Sequence, residues 1–122
     1  MSGGYQLTEE LLDRAVGRRI RVLAVSGELD MATARAFEAT LLEAVSADEP
    51  VILDLTEVTF LDSTAVGAMM AVRRRAEMMR GRLALVCKPD SEIERTLLYT
   101  GLDVAFEIVQ SRSAAAAELA AA

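Results

Sequence analysis

The chain has 122 residues, 52% of them hydrophobic, and a formal net charge of −6. That is enough for one domain around one core and too short for two. An acidic chain lacks the clustered Lys and Arg that nucleic-acid phosphates require; with no histidine and Cys87 as the single cysteine, disulfides, imidazole zinc sites and every Ser-His or Cys-His catalytic pair are excluded as well.

No apolar run approaches the length that crosses a bilayer, and Met1-Ser2-Gly3-Gly4 lacks the charged and apolar parts of a signal peptide. The expected location is the cytoplasm, with neither membrane nor nucleic acid as a partner. The aromatic residues are only Tyr5, Phe37, Phe60, Tyr99 and Phe106, so the interior must be built from Val, Leu, Ile, Ala and Met, the composition of an α/β layer fold.

Leu7 to Leu12 reads either as a first strand, pairing antiparallel through a turn around Gly17, or as a short helix. Arg19 to Ser26 alternates polar and apolar and ends at Gly27, which predicts a strand with Ile20, Val22, and Ala24 or Leu23 and Val25 turned inward. A loop, Gly27-Glu28-Leu29-Asp30, follows. Thr33 is the expected N-cap of a helix on which Phe37, Leu41, Ala44 and Val45 recur at helical spacing. That helix stops before Asp48-Glu49-Pro50, where proline turns the chain into a strand over Val51 to Leu55.

The next helix is predicted from Ser63 to about Arg80, with Asp62 as N-cap, Gly81 past its end, and Ala65, Met69, Val72, Ala76 and Met79 as its apolar stripe. Arg73-Arg74-Arg75, followed by Glu77, reads as a solvated face. Leu83 to Val86 is a strand, and Cys87 at its end reads as a small buried apolar residue. Ser91 and Glu94 have the spacing of a capping box for a helix carrying Ile93, Leu97 and Leu98, closed by Gly101. A last strand near Phe106 to Val109 leads to the alanine-rich tail 113–122, whose composition favours helix; with Leu119 as its one sizeable apolar anchor, such a helix is marginal in water. The order implies one α/β domain over residues 1–122 with its core at about 19–110: a mostly parallel sheet of four to five strands with right-handed crossovers and an antiparallel edge strand, packed by three to four helices.

The most informative point is Ser63, where a strand gives way to a helix. The first turn of a helix has unpaired N–H groups and a positive dipole end, so a phosphate ester there needs no separate pocket. With the apolar stripe turned to the sheet, Ser63, Gly67, Met70 and Arg74 fall in one line toward solvent. A modifiable hydroxyl, a glycine that lets another backbone approach, a pliable methionine and an arginine describe a partner surface; from periodicity alone, ordinary first-turn residues with Met70 half buried are the simpler description.

Three segments shift that balance. Gly27-Glu28-Leu29-Asp30 with Thr33-Ala34, Val58-Thr59-Phe60-Leu61-Asp62-Ser63-Thr64, and Thr100-Gly101-Leu102 together resemble the STAS family, and within it the bacterial anti-anti-sigma factors, over Arg19 to Val109. The chain departs from the family pattern in carrying Ala65, Val66 and Gly67 where glycine, leucine and glycine are common. The resemblance implies a protein that binds, when unphosphorylated, an anti-sigma factor that is also a serine kinase of the GHKL ATPase fold, thereby freeing a sigma factor. It implies Ser63 as phosphate acceptor with Thr64 as second choice, and a PP2C-type phosphatase as the opposing partner. It places Asp30 in the loop beside the acceptor, for partner contact or hydroxyl positioning, the alternative being a carboxylate that caps the following helix. The expected partner-binding residues are thus Asp30, Asp62, Ser63, Thr64, Gly67, Met70 and Arg74. No catalysis, cofactor or metal is expected of the chain itself, since its carboxylates are scattered and no phosphate-cradling glycine loop is present. A constitutive STAS scaffold or transport accessory, with Ser63 a relic, is the alternative, and a nucleotide or small-molecule sensor a third class.

Overall fold

The computed structural model describes residues 4–13, 19–45, 49–102 and 106–120. Five strands stand in the order β1-β2-β3-β4-β5: β1 (Tyr5–Asp13), β2 (Arg19–Leu29), β3 (Val51–Leu61), β4 (Leu83–Val86) and β5 (Glu107–Val109). β1 and β2 are antiparallel and all later pairings are parallel. The helices are α1 (Ala34–Ala44), α2 (Ser63–Met78), α3 (Glu92–Tyr99) and α4 (Arg112–Ala120).

The open N-terminal segment is a strand. Tyr5 and Leu7 are half-buried while Gln6 and Thr8 are exposed, the two-residue period of a half-covered strand, and the Tyr5 ring meets Phe37 edge-on at 6.0 Å. The turn expected around Gly17 lies outside the described residues.

Two strands run further than the sequence predicts. β2 continues through Gly27 to Leu29, and β3 continues past Leu55 to Leu61, so most of the expected Gly27–Asp30 loop is strand. The register between them shifts at Ala24/Ser26 and at Gly27/Glu28, and these bulges let the ladder continue where simple alternation fails. Gly27 has φ +95 and lies against β1, where an added Cβ would sit 2.5 Å from the Gly4 carbonyl oxygen. Its role is close backbone approach within the strand, not termination.

The sheet is covered on both faces, so the two inward sets expected on β2 are both used. Leu23 and Val25 join Phe37, Leu41, Leu53, Met69, Val72, Leu85, Ile93 and Leu97 in the larger core under α1, α2 and α3. Ile20, Val22, Ile52, Ala84 and Val86 form a second core closed by Ala115, Ala116 and Leu119 of α4. The tail is thus held by packing that its sequence alone does not disclose. Arg82 adds donors to the last carbonyls of α4, 3.2 Å to Glu118 and 3.4 Å to Leu119.

Helix ends bring smaller corrections. α2 ends at Met78, and Arg80, not Gly81, takes the left-handed φ of 57. The Arg80 N–H donates to Glu77 O at 3.1 Å and the Gly81 N–H to Ala76 O at 2.8 Å, a Schellman closure with arginine in the usual glycine position. Met79, past that end, is exposed instead of completing the stripe. On α3, Ser91 Oγ accepts the Glu94 N–H as expected, but the Glu94 carboxylate takes the Asp90 N–H. Ile93 and Leu97 alone fill its inner face, one turn apart, and Leu98 is rotated out to solvent.

Candidate functional site

Parallel pairing carries β2 and β3 to the same end of the sheet, where Leu29 stands opposite Leu61. The chain leaves β2 into the turn Asp30–Thr33 and leaves β3 into α2, so the two exits lie side by side. The Asp62 N–H donates to Leu29 O at 3.1 Å and fixes that contact.

The turn is closed on itself. Asp30 Oδ1 accepts the N–H groups of Ala32 (3.0 Å) and Thr33 (3.2 Å), while Thr33 Oγ1 accepts the Asp30 N–H at 3.0 Å. Thr33 is the residue before α1 as expected, but its side chain caps nothing in the helix. Asp30 does that work: its carbonyl receives the Ala34 N–H at 2.8 Å and its carboxylate orders the entry. The Asp30 carboxylate thus orders the turn before α1 and does not itself cap a helical N–H; only its backbone carbonyl reaches the helix.

At the start of α2, Asp62 has extended backbone and accepts from the N–H groups of Thr64 (2.9 Å) and Ala65 (3.1 Å) and from the Thr64 hydroxyl. Burial pushes its carboxyl upward, but the Thr64 hydroxyl and the Ala65, Thr64 and Met31 N–H groups outweigh it and hold the group below the ordinary carboxylate value. Asp30, Met31, Ala32 and Asp62 line one open recess.

The two hydroxyls of this turn differ sharply. Thr64 Oγ1 is spent on Asp62. Ser63 is exposed, and its hydroxyl has no hydrogen-bond partner among the described residues. A free hydroxyl at a positive helix end, beside a carboxylate whose Oδ1 is engaged by Thr64 and Ala65, is open to an incoming group.

Of the expected outward line on α2, Ser63, Gly67 and Arg74 are exposed, whereas Met70 is half-buried against the larger core. Gly67 is informative because a Cβ built on it meets nothing within 4 Å. A mid-helix glycine costs about 1 kcal/mol relative to alanine, and no internal contact here demands it. Arg73 pairs with Glu77 at 2.8 Å along the helix, in keeping with a solvated face.

Cys87 is buried, and burial followed by Glu94 pushes its thiol up to about 11, which keeps it protonated and unreactive. Among the described residues no three His, Cys, Asp or Glu side chains gather as a metal site, and no helix is long and apolar enough to cross a membrane. Sequence reasoning did not single out Met31, which is 77% exposed and lines the recess with Asp62. Its signal was slight, an apolar residue in a turn.

Comparison with known proteins agrees with this geometry. A family model describing the STAS domain matches residues 13–115. An anti-sigma factor antagonist from Mycobacterium paratuberculosis superposes with a TM-score of 0.75 at 27% identity, over 94% of this chain and 95% of that one. Two further structures share the fold. A putative anti-sigma factor antagonist from Thermotoga maritima gives a TM-score of 0.74 at 22% identity over 93% and 94% of the two chains. The Bacillus cell-fate determinant SpoIIAA in its phosphorylated form gives 0.57 at 22% over 88% and 96%.

Proposed function

The chain belongs to the STAS domain family, and from that premise we propose that it is an anti-sigma factor antagonist switched by phosphorylation of Ser63. The unmodified form binds an anti-sigma factor that is also a GHKL-type serine kinase, freeing a sigma factor; the phosphorylated form lets go. A PP2C-type phosphatase restores the first state by hydrolysing the ester. Its place of action is the cytoplasm, and the chain itself catalyses nothing.

The observation that carries the reading is the contrast at the start of α2, where the Ser63 hydroxyl is exposed and unengaged while that of Thr64 is held by Asp62. Gly67 supports it, since a glycine with open space beyond it suits close approach by a partner. In the transfer the bond from the ATP γ-phosphorus to the ADP oxygen breaks, a bond to Ser63 Oγ forms, and the hydroxyl proton leaves to a base on the kinase. ATP and its metal ion are the partner's. The product adds a charge of about −1.5 to −2 beside Asp62 and Asp30. The helix end tolerates it, whereas a partner surface packed on Gly67 and Met70 must desolvate a dianion. Asp30, Asp62, Thr64 and Arg74 frame that surface.

The test is capture with wild type, Ser63→Ala and Ser63→Glu as baits, followed by labelled ATP and mapping of the label. The reading expects an ATPase on the alanine bait, none on the glutamate bait, and label on Ser63 but not Thr64. Equal capture by both variants with no label would mean constitutive scaffolding instead.

A further inference from the structure

We propose that Asp62 selects the phosphate acceptor: by holding the Thr64 hydroxyl it directs a kinase to Ser63, and Thr64 is a masked second site. The inference rests on the switch reading of Ser63 and names the residue that steers the transfer.

Serine and threonine hydroxyls are the same kind of nucleophile, and two of them stand side by side in the first turn of α2. Both residues are exposed, so burial does not choose between them. Hydrogen bonding does. Thr64 Oγ1 donates to Asp62 Oδ1, the same oxygen that accepts the N–H groups of Thr64 at 2.9 Å and Ala65 at 3.1 Å. Ser63, between cap and threonine, is bypassed: its hydroxyl has no partner among the described residues.

The bond constrains Thr64 in two ways. It points the hydroxyl back at the cap, and because a β-branched side chain has few χ1 wells, turning Oγ1 outward means leaving that well and breaking the bond. Loss of a hydrogen bond to a carboxylate makes the outward state rarer by roughly 10- to 100-fold. Nor does Asp62 compensate as a base for Thr64. Burial raises its carboxyl, but the Thr64 hydroxyl and the Ala65 and Thr64 N–H groups hold it below the ordinary carboxylate value, so it takes up a proton poorly. Asp62 is thus a positioning residue that acts through Thr64.

The experiment gives the ATPase captured by Ser63→Ala, with labelled ATP, three chains that lack the first acceptor, and maps the label: Ser63→Ala itself, Asp62→Gly/Ser63→Ala and Asp62→Asn/Ser63→Ala. Glycine removes the acceptor yet is tolerated at a helix start almost as well as aspartate, and asparagine keeps an Oδ1 without the charge. Label on Thr64 is expected to rise about 10-fold or more in the glycine variant over Ser63→Ala and to fall back in the asparagine variant. Transfer there breaks the bond from the ATP γ-phosphorus to the ADP oxygen, forms one to Thr64 Oγ1 and sends the hydroxyl proton to a base on the kinase. Equal label on Thr64 in all three chains, or none in a glycine variant that still captures the ATPase, would overturn the inference and leave the switch at Ser63 intact. Failure of Ser63→Ala to capture an ATPase, or wild type that takes no label on Ser63, would remove the switch reading and this inference with it. Should the glycine variant not be captured, titration of the Asp62 carboxyl by NMR decides. Thr64→Val should raise it toward the ordinary value and Ser63→Ala should leave it unchanged; an equal response to both, or to neither, would overturn the inference.

Discussion

On the face covered by α1, α2 and α3 the sheet is held by large interlocking side chains, Phe37, Leu41, Met69 and Leu97 among them, whereas under α4 it is held by two alanines, Leu119 and an ion pair. Arg112 Nε meets Asp54 at 2.7 Å and its Nη1 meets Glu10 at 3.0 Å, so one side chain joins α4 to β3 and β1. The first face can spare its exposed rim for function because packing already fixes it. The second has less apolar area and depends on a charge that its own burial opposes. Substitutions that touch α4 should therefore act on stability, and those on the rim of α2 on binding.

The largest expected effect on stability is Arg112→Ala. It leaves the buried Asp54 carboxylate with only the Thr56 N–H, and a loss of about 2–4 kcal/mol is expected in urea unfolding. Acid should reproduce part of this. Burial raises the Asp54 carboxyl, but the Thr56 N–H, Arg112 and the Thr56 hydroxyl more than offset it, so the group is held below its ordinary value. Its contribution is complete above the unfolded value near 3.9 and is lost as pH falls through the lower native value. The gap between wild type and Arg112→Ala should narrow below about pH 4.

Asp62→Ala comes next. It removes the cap of α2 and frees the Thr64 hydroxyl, and a loss of about 1–2 kcal/mol is expected, with no effect on the α4 side. Native-state hydrogen exchange separates the two: Arg112→Ala should speed the amides of α4, and Asp62→Ala those of the first turn of α2. The smallest effect has the opposite sign. Gly67→Ala should stabilise the fold by about 0.5–1 kcal/mol, since alanine is the better helix former and nothing obstructs it, while weakening capture of the partner. A variant that gains stability and keeps full affinity would place Gly67 outside the interface.

Much of this was legible in the sequence where one rule governs. The start of α2 combines a capping aspartate with an apolar stripe, α1 carries clean periodicity and β4 is a short apolar run, so each is found close to its expected place. Legibility failed where two rules compete. The bulges of β2 and β3 break the two-residue period and hide six further residues of β3, from Thr56 to Leu61. The packing of α4 was invisible because alanine marks no face. The line from Ser63 to Arg74 could be drawn from spacing alone, but the difference between Ser63 and Thr64 depends on a single hydrogen bond, which only coordinates reveal.

The most direct measurement is the affinity of the captured ATPase for protein carrying phosphoserine at position 63 alone, set against the unmodified chain. The account predicts binding weaker by about 100-fold or more with superimposable backbones, about 2.7 kcal/mol lost at the interface and not in the fold. Affinities within twofold of one another, or a modified chain whose α2 has rearranged, would contradict it.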